Sequence, residues 1–85
     1  MGRLDNKVAV ITGGSGGIGC AAGARFALEG ASVLLVDLNE SELTEACRSI
    51  GSNRVSYLVG DVTRAADNQA MIDTAVARYG GVDVL

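Results

Sequence analysis

Three short runs of almost unbroken apolar character recur along the chain: Lys7-Val-Ala-Val-Ile11, Ala31-Ser-Val-Leu-Leu-Val36 and Val55-Ser-Tyr-Leu-Val59. A strand with one wet face alternates apolar and polar residues, whereas a run that is apolar throughout suits a parallel strand covered on both faces. Each run is followed by helical spacing. From Ile18 to Glu29, Ile18, Ala22 and Phe26 recur every four residues, and Gly30 stands where a left-handed cap ends a helix. Asn39 is placed to cap a second helix, with Glu42 completing a capping box, Leu43, Ala46, Cys47 and Ile50 facing inward, and Gly51 closing it. Thr63 is the expected N-cap of a third, with Ile72, Ala75, Val76 and Tyr79 inward before Gly80-Gly81. A fourth strand begins at Val82-Asp83-Val84-Leu85.

Strands alternating with amphipathic helices make right-handed βαβ units. The predicted fold class is α/β, the N-terminal half of a doubly wound parallel sheet, βαβαβα plus the start of strand 4. Strand 1 is central, strands 2 and 3 lie to one side, and strand 4 starts on the other. Residues 1–85 read as part of one domain, without repeats or linkers, in which the chain ends within strand 4. The open edge of strand 1 calls for cover from the rest of the domain or from another chain.

Charge and cysteine usage narrow the partners. Seven Lys+Arg against ten Asp+Glu give a net charge of -3 with no basic stripe, so neither nucleic acid nor an anionic membrane is an expected partner. The polar opening Met1 to Lys7 lacks the apolar stretch of a signal peptide, Asn6 stands where a myristoylation motif wants Ser or Thr, and no apolar run could span a bilayer. Two cysteines, Cys20 and Cys47, make no disulfide framework, and without His or a C-x-x-C pair no metal site is expected. The reading is a reducing, cytoplasmic setting.

Thr12-Gly-Gly-Ser-Gly-Gly-Ile-Gly19 falls between the first strand and the first helix. Glycine there lets the chain turn sharply, brings bare backbone close to a diphosphate, and lets the helix pack tightly on the sheet. The unpaired amides and dipole of the helix start then attract the anion. Eighteen positions beyond Gly19, Asp37 ends the second strand, near the ~20 expected of the carboxylate that grips the adenosine ribose in a dinucleotide-binding, Rossmann-type unit. A carboxylate there repels the extra phosphate of NADP, and no Arg or Lys lies in the loop or in Asp37-Leu38-Asn39-Glu40. The favoured cofactor is therefore NAD rather than NADP. Asp61-Val62 ends the third strand at the same sheet edge, where a short acid can reach the adenine amino group while Val62 packs on the ring. Cys20 reads as a small helix residue, Cys47 as core, and Glu40, Glu42 and Glu45 as a solvated helix face.

With those residues in hand, the chain resembles the short-chain dehydrogenase/reductase family along essentially all of its length. Thr12, Gly13, Gly17, Ile18 and Gly19 fit that family's T-G-x-x-x-G-I-G pattern, and Gly60-Asp-Val-Thr63 and Tyr79-Gly-Gly-Val-Asp-Val-Leu85 are similar to its compact, single-domain branch. Read through Gly16, the loop also fits the T-G-x-x-G-x-x-G pattern of a longer branch, but Gly17 and Asp61-Val62 favour the compact one. The resemblance implies a cofactor site at Gly13, Ser15, Gly17, Ile18, Gly19, Asp37, Leu38, Asp61 and Val62. It also implies hydride transfer between a nicotinamide and a carbonyl or alcohol of a small-molecule substrate. In that family a Tyr paired with Lys handles the proton and a Ser polarises the substrate oxygen. Those motifs follow strand 4, so no catalytic residue is assigned in this chain, and Tyr57 and Tyr79 lack a Lys four positions on. The substrate contacts are expected outside these 85 residues, and a homo-oligomer of the complete protein is left open.

Two other classes stay in view. One is a non-catalytic dinucleotide-binding or truncated fragment. The other is an S-adenosylmethionine-dependent methyltransferase, which also places glycines after strand 1 and an acid after strand 2, although Thr12 stands where such enzymes usually show acidic character. A nucleoside-triphosphate P-loop is excluded because Cys20, not Lys, follows Gly19.

Overall fold

The computed structural model describes residues 5–13, 17–61 and 63–83. Along them run β1 (Val8–Thr12), α1 (Gly17–Leu28), β2 (Ser32–Asp37), α2 (Glu40–Ile50), β3 (Val55–Val59) and α3 (Ala65–Tyr79). The strands form a parallel sheet in the order β1-β2-β3. Val8 faces Ser32 and Thr12 faces Val36, while Val33 faces Val55 and Asp37 faces Val59. This is the α/β half-sheet that the alternating runs predict, with element ends shifted by a residue or so.

The apolar character of the second run has a direct cause: Val33, Leu34, Leu35 and Val36 are all buried because β2 is covered from above and below. On one face Ala9, Val33, Leu35 and Val55 pack with Leu43 and Ala46 of α2, joined by Cys20, Phe26 and Ala27 of α1. On the other, Val8, Val10, Leu34 and Val36 pack with Met71 and Ala75 of α3. Gly23 allows the close approach of α1, since an added Cβ would lie 3.0 Å from Leu35 Cδ2.

Helix ends follow local chemistry. Asn39 caps α2 as expected, its side chain accepting the Glu42 amide at 3.1 Å, and Gly51 takes a left-handed conformation whose amide donates to the Cys47 carbonyl. After α1, Gly30 has φ +99°; its amide donates to Ala27 and that of Ala31 to Phe26, the paired bonds that close a helix on a glycine.

Two expectations for α3 are corrected. Thr63 is not its N-cap: the Thr63 hydroxyl donates to Asp61 Oδ1 at 2.6 Å and its amide to the same oxygen at 2.9 Å, so it closes a turn. The cap position falls to Arg64, which makes no side-chain cap bond. The inward row is Met71, Ala75 and Tyr79 rather than one including Val76, which is 50% exposed. Two apolar rows lie side by side on this helix, and the sheet takes the one containing Met71.

The expected fourth strand falls partly on residues 84 and 85, which lie outside the described ones. Val82 and Asp83 are not in a strand, but the Asp83 amide donates to the Val8 carbonyl at 2.8 Å. The Lys7 carbonyl faces β2, accepting from Ser32, so the backbone groups of Val8 point the other way. Asp83 therefore docks on the side of β1 where strand 4 was expected.

Candidate functional site

In a parallel sheet the carboxyl ends of all strands open on one edge, and here the register brings three of them together. Thr12 stands opposite Val36 and Asp37 opposite Val59, so Gly13, Asp37 and the turn at Gly60-Asp61 lie on adjacent strands, about 4.8 Å apart per step. The Gly60 amide donates to the Asp37 carbonyl at 2.9 Å, continuing the ladder one rung past β3.

Gly13 leaves β1 with φ +68°, a conformation that L side chains rarely adopt, and among the described residues nothing beyond its chain neighbours lies within 4 Å of where a Cβ would be. Gly17, Ile18 and Gly19 form the first turn of α1, which carries no acidic residue, so the partial positive charge of the helix start is unopposed there. Ser15 and Val62 lie outside the described residues.

Asp37 ends β2, and its Oδ1 accepts the Leu38 amide at 2.7 Å. Leu38 is 65% exposed, a large apolar side chain left in the open at that edge. Asp61 is organised more tightly. The hydroxyl of Thr63, then its amide, hold the Asp61 carboxyl below the usual carboxylate range, with Arg64 adding a smaller effect. The Asp61 amide donates to Asp67 Oδ2 at 2.8 Å, so an acid from the first turn of α3 fixes the turn.

Of the predicted cofactor residues, the structure brings together Gly13, Gly19, Asp37, Leu38 and Asp61 on one edge, along with the backbone of Gly17 and Ile18. Sequence reasoning missed Thr63 and Asp67 as the residues that shape Asp61; the Asp-x-Thr spacing is a turn signal that points to the first of them. The cysteines are free, and burial, followed by the charge of Cys20, pushes the Cys47 thiol up, away from nucleophile chemistry. Among the described residues no group of His, Cys, Asp or Glu could hold a metal ion, and no helix is long and apolar enough to cross a membrane. Two cavities, of about 460 and about 290 Å³, lie elsewhere, against the outer edge of β3 and between α1 and α2. The candidate site is the strand-end edge itself.

Residues 7–85 match the family model described as short chain dehydrogenase. An uncharacterized oxidoreductase of Mycobacterium bovis is 46% identical over 83 residues, covering 96% of this chain and 34% of the relative. A short chain aldehyde dehydrogenase 1 of Euphorbia lathyris is 39% identical over 84 residues, covering 98% and 29%. Among solved structures, the apo form of glucose dehydrogenase from Caenorhabditis elegans superposes with a TM-score of 0.89 at 35% identity, covering 95% of this chain and 36% of that one. The chain spans about a third of the length of these relatives.

Proposed function

The chain belongs to the short chain dehydrogenase family, and on that premise we propose that it forms the adenosine and diphosphate side of an NAD site in an oxidoreductase. The family match sets the methyltransferase alternative aside. The observation that carries the reading is Gly13: bare backbone at positive φ, with no described side chain within 4 Å of a Cβ there, one strand from the Asp37 carboxylate. That arrangement fits a dinucleotide, because an anion needs unobstructed amides and a ribose needs an acceptor for its hydroxyls.

In this reading Gly13, Ser15, Gly17, Ile18 and Gly19 hold the diphosphate, and Asp37 accepts hydrogen bonds from the ribose. Leu38 and Val62 flank the adenine and Asp61 receives its amino group. The Thr63 hydroxyl and amide that lower the Asp61 pKa favour its ionised, accepting form. Asp37 disfavours the additional phosphate of NADP by like-charge repulsion. When bound, the nicotinamide accepts or gives a hydride against a carbonyl or alcohol. No residue of this chain is assigned to that step, and substrate contacts belong to the whole protein. A reducing, cytoplasmic setting suits the two free thiols.

Thermal melts with NAD, NADP and S-adenosylmethionine test this. A ligand at 100 times its Kd adds about 2.7 kcal/mol to the native state. NAD should raise Tm more than NADP, S-adenosylmethionine should have no effect, and Asp37→Ala should narrow the NAD to NADP difference. No shift with NAD at millimolar concentration would leave the chain a non-binding fragment.

A further inference from the structure

Among the described residues β3 ends the sheet on the side away from β1, and its ladder decides which of its backbone groups face outward. The Val33 amide donates to the Arg54 carbonyl, and Val33 and Leu35 stand opposite Val55 and Tyr57. The N–H and C=O groups of Val55, Tyr57 and Val59 therefore turn away from β2. The Val55 amide is taken by the Ser52 carbonyl at 3.3 Å. The middle position is taken from outside: Arg78, near the end of α3, donates from Nη1 to the Tyr57 carbonyl at 3.2 Å and to Ser56 Oγ at 3.0 Å. A depression of about 460 Å³ lined by Cys47, Val55, Ser56, Tyr57 and Arg78 lies along this edge, and Val59 is 45% exposed. The strand itself, Val55-Ser-Tyr-Leu-Val59, has no charge and no Pro, and is rich in β-branched and aromatic residues. Such segments pair with copies of themselves when their edge is open.

We propose that the outer edge of β3 is a strand-docking surface for a second copy of this chain, and that Arg78 keeps it shut. Two copies related by a two-fold axis at Tyr57 pair antiparallel, with Tyr57 opposite Tyr57 and Val55 opposite Val59. The outward groups left for that pairing are the Tyr57 and Val59 amides and the Val55, Tyr57 and Val59 carbonyls, the Val55 amide being held by Ser52. The central acceptor is the Tyr57 carbonyl, which the guanidinium covers. The same axis brings two guanidiniums together, and among the described residues Arg78 has no carboxylate partner to neutralise it. The edge is self-complementary in sequence, and a two-fold contact closes at two copies rather than running on as a filament. A second copy is thus the occupant it fits best.

Arg78→Ala tests the proposal, read by sedimentation and by residue-resolved amide exchange over a range of concentrations. In the parent chain the Tyr57 and Val59 amides should exchange at a concentration-independent rate. In the variant they should become protected on concentration, by about tenfold or more, as a dimer forms. A variant of unchanged size overturns the proposal, and so does one that associates while those two amides stay unprotected, since its contact then lies elsewhere. Should Arg78→Ala lose its helical signal, Ser56→Ala keeps the arginine but removes one of its two acceptors. Weaker association with the same pair of amides protected supports the latch, and none refutes it.

Discussion

Asp83 holds Val8 by both of its outward-facing backbone groups: the Asp83 amide donates to the Val8 carbonyl at 2.8 Å, and the Asp83 carboxylate accepts the Val8 amide at 2.9 Å. The two residues are 75 positions apart, and Val8 is 5% exposed. The pair sets where the segment after α3 meets the sheet.

Replacing Asp83 with Ala leaves a buried amide without its acceptor. The expected loss is about 1–2 kcal/mol, read as a lower urea midpoint at unchanged m. Asp83→Asn retains a carbonyl oxygen at that place and should recover part of it. Equal losses in the two variants would mean that the carboxylate acts only through its charge.

Gly30 and Gly80 both sit at positive φ, +99° and +89°, but in different surroundings. Among the described residues an added Cβ on Gly80 meets nothing within 4 Å, whereas one on Gly30 overlaps the Asp5 carboxylate and comes within 3.3 Å of the Asp5 Cα. Gly80→Ala should cost only the left-handed backbone penalty, about 1 kcal/mol. Gly30→Ala should cost more, and Asp5→Ala should bring the difference down. Equal midpoints for the two glycine variants in chemical denaturation would refute the overlap.

Asp61 supplies a pH signature. Its folded pKa lies below the unfolded value, so its contribution is present above the unfolded pKa and fades as pH falls through the folded one, below about pH 4. Thr63→Ala removes the hydroxyl donor and leaves the amide. The Asp61 carboxyl should then titrate higher, toward an ordinary carboxylate, in a carbon-detected NMR titration, and the acid-side decline in stability, with its onset unchanged, should become smaller and end at higher pH. An unmoved titration curve would show that the hydroxyl is not what holds the proton off.

Cys47 should be slow to alkylate. Burial raises its pKa first, and the charge of Cys20 adds to it. Site-resolved iodoacetamide labelling should show a pH profile displaced upward from that of a free thiol, and Cys20→Ser should move it partway back. Labelling of Cys47 at the rate of an unfolded peptide would contradict the packing on the shared core.

What could be read from the sequence was mostly what is settled within one turn of chain. Asn39 caps α2 because its acceptor is three residues from the amide it serves, and Gly30 and Gly51 end helices through bonds to residues three to five positions back. The strand ends that carry Gly13, Asp37 and Asp61 were legible because β-branched runs and glycine spacing are local signals too. Thr63 was misread for the same local reason: its hydroxyl can serve a helix amide or the acid two residues earlier, and only the folded turn, tied down by Asp67, favours the second. Val76 was misassigned because two apolar rows on α3 are equivalent until a sheet selects one. The Asp83 clamp on Val8 and the reach of Arg78 to β3 join residues far apart in sequence and have no periodic signature.

The chain has two tyrosines and no tryptophan, and both phenols are engaged. Tyr57 donates to Glu40 of α2 at 3.2 Å, while the Tyr79 hydroxyl is paired with Ser56 Oγ at 2.5 Å and donates to the Val33 carbonyl at 3.3 Å. Near-ultraviolet absorbance and emission therefore come mainly from two chromophores, one watching the layer above the sheet and one the layer below. With Phe substituted for either, the surviving phenol becomes a private optical gauge of one layer, and the two can be followed separately as the protein melts.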